Sequence, residues 1–159
     1  MVENTAETEA QLVIAHRQTV VIVSAQVFSV VVLLIVSFIA SQIGGRPAAT
    51  SFDSTALMVL IIFVAAASFV IRRLFNRWER YRNALLLGGM PGLLRTLKTN
   101  SIVLSTFAEL IAVIGFVTTW LGGNEMDMIR AAAVAIIVFA INFPRRSVWE
   151  KIVWNLHEL

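Results

Sequence analysis

The sequence predicts an all-α integral membrane protein, a four-helix bundle of two consecutive helical hairpins with a C-terminal amphipathic helix at the membrane interface. Three observations lead to this prediction. The 159-residue chain is 58% apolar and only 14% charged, whereas a soluble domain is about 25% charged. Its mean hydropathy is +0.80. The charged residues are bunched between four long apolar runs.

Each apolar run is long enough to cross a bilayer as a helix, which takes about 20 residues. The first, 19–43, is rich in Val and Ile, but it is too long for a buried strand of about 4–8 residues. The second, 54–71, ends at two arginines, and the third, 101–121, contains one acidic residue. The fourth, 126–143, follows a Gly-Gly pair. We therefore predict a single membrane domain over residues 1–159.

The distribution of basic residues predicts the orientation. Every Lys and Arg except Arg46 and Arg130 lies in the N-terminal segment, in the loop 72–100 or in the tail. Because Lys and Arg are enriched in cytoplasmic segments, we expect both termini and the loop 72–100 to be cytoplasmic. The N-terminus carries three early glutamates rather than a secretory signal pattern. We expect a retained first span and a bacterial inner membrane location.

We expect residues 72–82 to continue the second helix out of the membrane and the glycine-rich segment 88–92 to interrupt it. A basic cluster follows the second span and allows two interpretations. It either anchors the protein through the positive-inside rule or binds anionic lipid head groups. Four aromatic residues are expected to anchor the protein at the interface. The arginines are Arg72, Arg73, Arg77, Arg80 and Arg82, and the aromatic residues are Trp78, Tyr81, Trp149 and Trp154. The expected partners are membrane lipids, anionic ones above all, and no nucleic acid, since no binding motif for it is present.

The sequence of the C-terminal tail predicts a further helix over residues 147–157. Ser147 and Glu150 form a capping-box pattern at its start. The apolar residues that follow share one helical face: Val148, Trp149, Ile152, Val153 and Leu156. Such a helix either lies on the membrane surface or docks against a partner subunit.

Glu109 lies within the third span, where a carboxyl group is costly and points to a functional or pairing role. Ser105 and Thr106 share its helical face. Gln26 lies at a similar depth in the first span, so we predict that its amide donates a hydrogen bond to the Glu109 carboxyl. These four residues form the predicted intramembrane polar site. The site is either structural or binds a proton or cation.

The segment 108–115 carries the sequence Ala-Glu-Leu-Ile-Ala-Val-Ile-Gly. It resembles the ion-binding helix of the V-type ATPase proteolipid (c) subunits, in which a buried glutamate precedes a small residue and a glycine. That resemblance implies that Glu109 would bind a transported proton or sodium ion within a rotor ring. We do not carry the rotor over, because the first span lacks glycine and the predicted topology is inverted. The chain also resembles bacterial four-span membrane proteins of uncharacterised activity, through the exit segment 144–150.

Three functions compete at this point. The first is a non-enzymatic accessory or oligomer-forming subunit of a membrane complex, and the alternative is a protein that binds or translocates protons or cations through Glu109. A lipid-handling enzyme is disfavoured, because the spans otherwise offer mainly Ser, Thr, Gln26 and Asn142 as polar groups. We expect no metal and no cofactor, because cysteine is absent and the two histidines are far apart in sequence.

Overall fold

The computed structural model describes residues 2–43, 54–122 and 125–157, and no strand occurs in these ranges. Four of its helical stretches are long and apolar enough to cross a membrane. The predicted all-helical architecture with four candidate spans is therefore confirmed. The five helices are α1 (Val2–Ile43), α2 (Ser54–Phe75), α3 (Trp78–Gly122), α4 (Glu125–Asn142) and α5 (Arg146–His157).

The helix α3 is the centre of the bundle, since it contacts all four other helices. The helices α1 and α2 contact α3 and α4, but within the described residues they do not contact each other. The expectation of two consecutive packed hairpins is therefore wrong for the first pair. The small residues at the helix contacts belong to α3 and α4, and such residues let backbones approach closely. In the described ranges, the helices α1 and α2 therefore pack against α3 and α4 rather than against each other.

The apolar core lies where α3 and α4 meet, and α1 and α2 complete it from either side. Alanines make up much of this core, together with branched side chains from all four helices. Its buried residues are Val23, Val30, Ile61, Val64, Ala108, Ile111, Ala112, Ala131, Ala132, Ala135, Val138 and Phe139. Most apolar side chains of α1 and α2 point outward and are exposed. This outward apolar surface is what a helix facing lipid presents.

The helix α1 is longer than the predicted span. Its 42 residues make it about 60 Å long, roughly twice the thickness of a bilayer core. The N-terminal half of α1 packs in a second apolar cluster with the start of α3 and with α5. This cluster comprises Leu12, Tyr81, Leu93, Leu94, Leu97, Trp149, Val153 and Leu156. We call this end of the bundle, where Arg72 and Arg145 also lie, the basic end.

Two breaks shape the chain between the second and third spans. Gly89 has φ +61, a conformation that glycine adopts without strain, and it kinks α3 where the glycine-rich segment was expected to interrupt the helix. The stretch from Arg72 to Arg82 was expected to continue the second helix, but α2 ends at Phe75. A turn at Asn76 separates the two helices, and the Tyr81 hydroxyl donates to Asn76 Oδ1 at 2.9 Å. This contact fixes the turn.

The tail helix α5 docks on its own chain. Trp149, Val153 and Leu156 are buried against α1 and α3. The His16 ring meets the Trp149 ring edge to face at 5.4 Å, and His16 Nε2 lies 3.0 Å from the Pro144 carbonyl oxygen. The expectation that this face meets the membrane surface or a partner subunit is therefore wrong for these three residues. The N-terminal extension of α1, which the sequence did not predict as helix, supplies the contact surface.

Candidate functional site

Glu109 of α3 accepts two hydrogen bonds from α1. The Gln26 amide donates from Nε2 to Glu109 Oε2 at 3.2 Å. The Ser29 hydroxyl lies 2.6 Å from Glu109 Oε1 and donates to it. The hydrogen bond between Gln26 and Glu109 was expected from their depth, and Ser29 is an additional partner.

Gln26 is the centre of this network. Its Nε2 also donates to Thr106 Oγ1 at 3.1 Å, and its Oε1 accepts from the Ser105 hydroxyl. Both groups of the amide therefore have partners on α3. The structure thus brings together all four residues of the predicted polar site, and we call these four residues with Ser29 the polar seam.

The polar seam runs from the protein interior to its surface. Ser105 is buried, Gln26, Ser29 and Glu109 are half-buried, and Thr106 is exposed. Glu109 therefore lies at the outer edge of the contact between α1 and α3 rather than in the centre of the bundle. Its outward neighbours on α3 include the exposed apolar residues Leu110 and Val113.

Ser29 could have been found from the sequence. It follows Gln26 by three residues, so both side chains lie on the same face of α1. Gln26 was identified as a partner of Glu109 by its depth in the span alone. Depth combined with helical periodicity would have identified Ser29 as well. The rotation of α1 against α3 was still needed to show that this face meets Glu109.

Four of the five arginines of the predicted head-group cluster are exposed. Arg73, Arg77, Arg80 and Arg82 are exposed, and only Arg72 is half-buried. The Arg80 guanidinium lies 4.3 Å from the centre of the Phe75 ring, a cation–π contact. The turn at Asn76 separates the arginines of α2, Arg72 and Arg73, from Arg80 and Arg82 of α3.

Two of the four expected interface aromatics meet protein instead of lipid. Tyr81 and Trp149 are each 3% exposed within the cluster at the basic end. Trp78 is exposed and Trp154 is half-buried, so these two remain predicted interface residues.

Burial raises the pKa of the Tyr81 phenol above its ordinary value of 10.0. A hydrogen bond with Asn100 and the positive charge of Arg80 oppose part of this rise.

The chemistry of the described side chains limits which ligands the site can hold. Within residues 2–43, 54–122 and 125–157, no group of three or more His, Asp or Glu side chains is placed to hold a metal ion. The polar seam instead combines one carboxyl group with hydroxyl and amide groups. Such a set can accept and donate hydrogen bonds and can hold a proton or a small cation.

No family model, curated protein or solved structure matches this chain. The fold and the polar seam therefore define its class: a bundle of four candidate membrane helices with a polar network between α1 and α3. The resemblance of segment 108–115 to the proteolipid subunits stays a prediction from the residues.

Proposed function

We propose that this protein is a non-enzymatic integral membrane protein that forms an oligomer or serves as an accessory subunit of a larger membrane complex. Its termini lie in the cytoplasm, and a bacterial inner membrane is the location that its charge distribution favours. The polar seam is the contact site for the helix of a second copy or of a partner subunit.

One observation carries this proposal: the polar seam opens onto an otherwise apolar surface. Thr106 is exposed and Glu109 is half-buried at a depth where lipid offers no hydrogen bonds. A carboxyl group has about four acceptor positions, and two donors reach that of Glu109. A neighbouring helix that supplies a donor would satisfy this capacity and shield the seam from lipid.

The test is the assembly state of the purified full chain in mild detergent, measured by native mass spectrometry. Glu109→Leu should weaken assembly by about 1–2 kcal/mol, the scale of a lost hydrogen bond inside a membrane. Glu109→Gln keeps the shape and one of the two acceptor oxygens, and it should leave assembly intact. A fully monomeric wild-type protein that also binds no other membrane subunit would contradict the proposal.

Thr106 provides a matched pair of variants. Thr106→Val removes the exposed hydroxyl of the polar seam, whereas Thr99→Val makes the same change at an exposed position two turns earlier on α3. We expect weaker assembly for Thr106→Val and wild-type assembly for Thr99→Val. Equal behaviour of the two variants would show that the seam is not the contact site.

The second candidate function is proton or cation binding at Glu109, and the hydrogen-bond geometry of Ser29 favours it. Ser29 Oγ lies 2.8 Å from the Gln26 carbonyl oxygen and 2.6 Å from Glu109 Oε1. A hydroxyl has one proton and serves one of these acceptors at a time. If Glu109 carries a proton, it can donate to Ser29 while Ser29 donates to Gln26, and both contacts become hydrogen bonds.

Flux into liposomes separates the two functions. A conducting protein should lose proton or cation flux on Glu109→Gln while its assembly stays unchanged. Ser29→Ala should reduce the same flux, because it removes the hydroxyl that forms a hydrogen bond with Glu109 Oε1. A wild-type protein that conducts neither protons nor monovalent cations would exclude this second function.

A further inference from the structure

A cleft of about 290 Å³ lies at the basic end, where α2, α3, α4 and α5 meet. Its size matches a lipid head group, at the lower limit of typical small-molecule sites. The polar lining residues are Arg72, Asn76, Tyr81, Asn100, Ser101, Asn142 and Arg145. The cleft is separate from the polar seam, which lies between α1 and α3.

The charge of the cleft selects an anion. Arg72 comes from the last turn of α2, and Arg145 comes from the connection between α4 and α5. No Asp or Glu is among the described residues that line the cleft. Two guanidinium groups without a lining carboxylate form a site for phosphate or carboxylate, and Arg favours both because its donors form a planar fork.

Two buried amides line the cleft and offer acceptors for hydrogen-bond donors. Asn100 is 3% exposed and Asn142 is 9% exposed. Their Oδ1 atoms are buried and have no hydrogen-bond partner among the described residues. A buried acceptor without a partner costs about 1–3 kcal/mol, so two on one cleft indicate a ligand whose hydroxyl groups donate to them.

The apolar lining indicates that the ligand is a lipid. Leu104 and Ile141 line the cleft together with Phe143, and the first two lie in the third and fourth spans. Asn100 and Asn142 stand near the ends of these spans, which is the depth of a head group. The cleft therefore joins an anion site at the interface to apolar side chains within the bilayer.

We propose that this cleft binds one anionic phospholipid whose head group carries hydroxyl groups. Its phosphodiester pairs with Arg72 and Arg145, its head-group hydroxyls donate to Asn100 and Asn142, and its acyl chains lie along Leu104 and Ile141. This site shares only Arg72 with the arginine cluster that the sequence predicted. It does not depend on the assembly proposed for the polar seam.

Native mass spectrometry of the full-length protein in detergent tests the site by titration with phosphatidylglycerol and with phosphatidylcholine. We expect one tightly bound phosphatidylglycerol and weaker phosphatidylcholine binding, since the choline head group has no hydroxyl or N–H donor. Arg72→Gln and Arg145→Gln should each weaken phosphatidylglycerol binding about tenfold or more, the scale of a lost charge-assisted hydrogen bond. Arg73→Gln makes the same charge change at a residue that does not line the cleft and should stay within about threefold.

Asn142→Asp offers a second variant that preserves side-chain size. The new carboxylate should repel the phosphodiester and weaken binding at least as much as Arg72→Gln does. Asn83→Asp, at an exposed position on α3, is its control and should bind like the wild type. Equal loss for Arg72→Gln and Arg73→Gln, or equal affinity for the two lipids, would overturn the proposal.

Glycerol 3-phosphate distinguishes a lipid from a free phosphate compound. We expect millimolar glycerol 3-phosphate to compete weakly with phosphatidylglycerol, because it lacks the acyl chains that contact Leu104 and Ile141. If glycerol 3-phosphate binds as tightly as the lipid and with the same dependence on Arg72, the site recognises a soluble phosphate and the lipid assignment is wrong.

Discussion

Gly115 of α3 lies directly against Ala131 of α4, so closely that a Cβ atom on Gly115 would be 2.1 Å from Ala131 Cβ. Two methyl groups cannot occupy this space. The contact sets how closely α3 and α4 approach, and these two helices form the centre of the core. The glycine of the segment 108–115 thus has a packing role in this fold.

Gly115→Ala should therefore destabilise the protein. Overpacking of a tight contact costs about 1–3 kcal/mol, measured as a lower midpoint of thermal unfolding in mild detergent. Ala131→Gly removes the opposing methyl group, so the double variant should regain most of the loss. A Gly115→Ala protein as stable as the wild type would show that α3 and α4 are not packed as described.

The tail should leave its docking site when its buried face becomes polar. Val153 is 0% exposed and Val148 is 49% exposed, so the same substitution at both positions forms a matched pair. Val153→Ser should cost about 2–3 kcal/mol through lost packing and a buried hydroxyl, and α5 should become sensitive to protease. Val148→Ser should change stability by no more than about 0.5 kcal/mol and stay protected.

Tyr81 should titrate above its ordinary pKa of 10.0, because burial is the largest influence on its phenol. It is the sole tyrosine of the chain, so the near-ultraviolet absorbance of tyrosinate reports on it alone. The raised pKa means that the folded state holds the proton more tightly than the unfolded state. The free energy of unfolding should therefore fall as pH rises above about 10. The variant Tyr81→Phe should lack this part of the pH dependence, and a midpoint below 10.0 would contradict the burial.

Reporter fusions should establish the orientation. We expect fusions at Gly45 and Gly123, which lie outside the described residues, to report the exterior. Fusions at Gly89 and at the C-terminal residue Leu159, also outside the described residues, should report the cytoplasm. The excess of Lys and Arg on that side is the physical reason. An interior result at Gly123 would remove the basis for an α3–α4 hairpin that crosses the membrane twice.

The sequence was sufficient for properties that depend on local composition and depth. Apolar length gave four candidate spans, and a glycine-rich segment marked the kink at Gly89. Equal depth in two spans was enough to pair Gln26 with Glu109, because a polar group inside a bilayer needs a partner from another helix. These predictions succeeded because each depends on residues near one another in sequence or on one shared coordinate, the distance from the membrane surface.

The tertiary structure was needed for every feature that depends on the rotation of each helix about its axis and on which helices pack against each other. It added Ser29 to the polar seam, separated α1 from α2 and buried Tyr81 and Trp149. It also brought Arg72 and Arg145 to one cleft, although they are far apart in sequence. Helical periodicity defines a face but not its partner. That partner is selected by close packing of small residues such as Gly115 and Ala131, and packing of this kind depends on both helices at once.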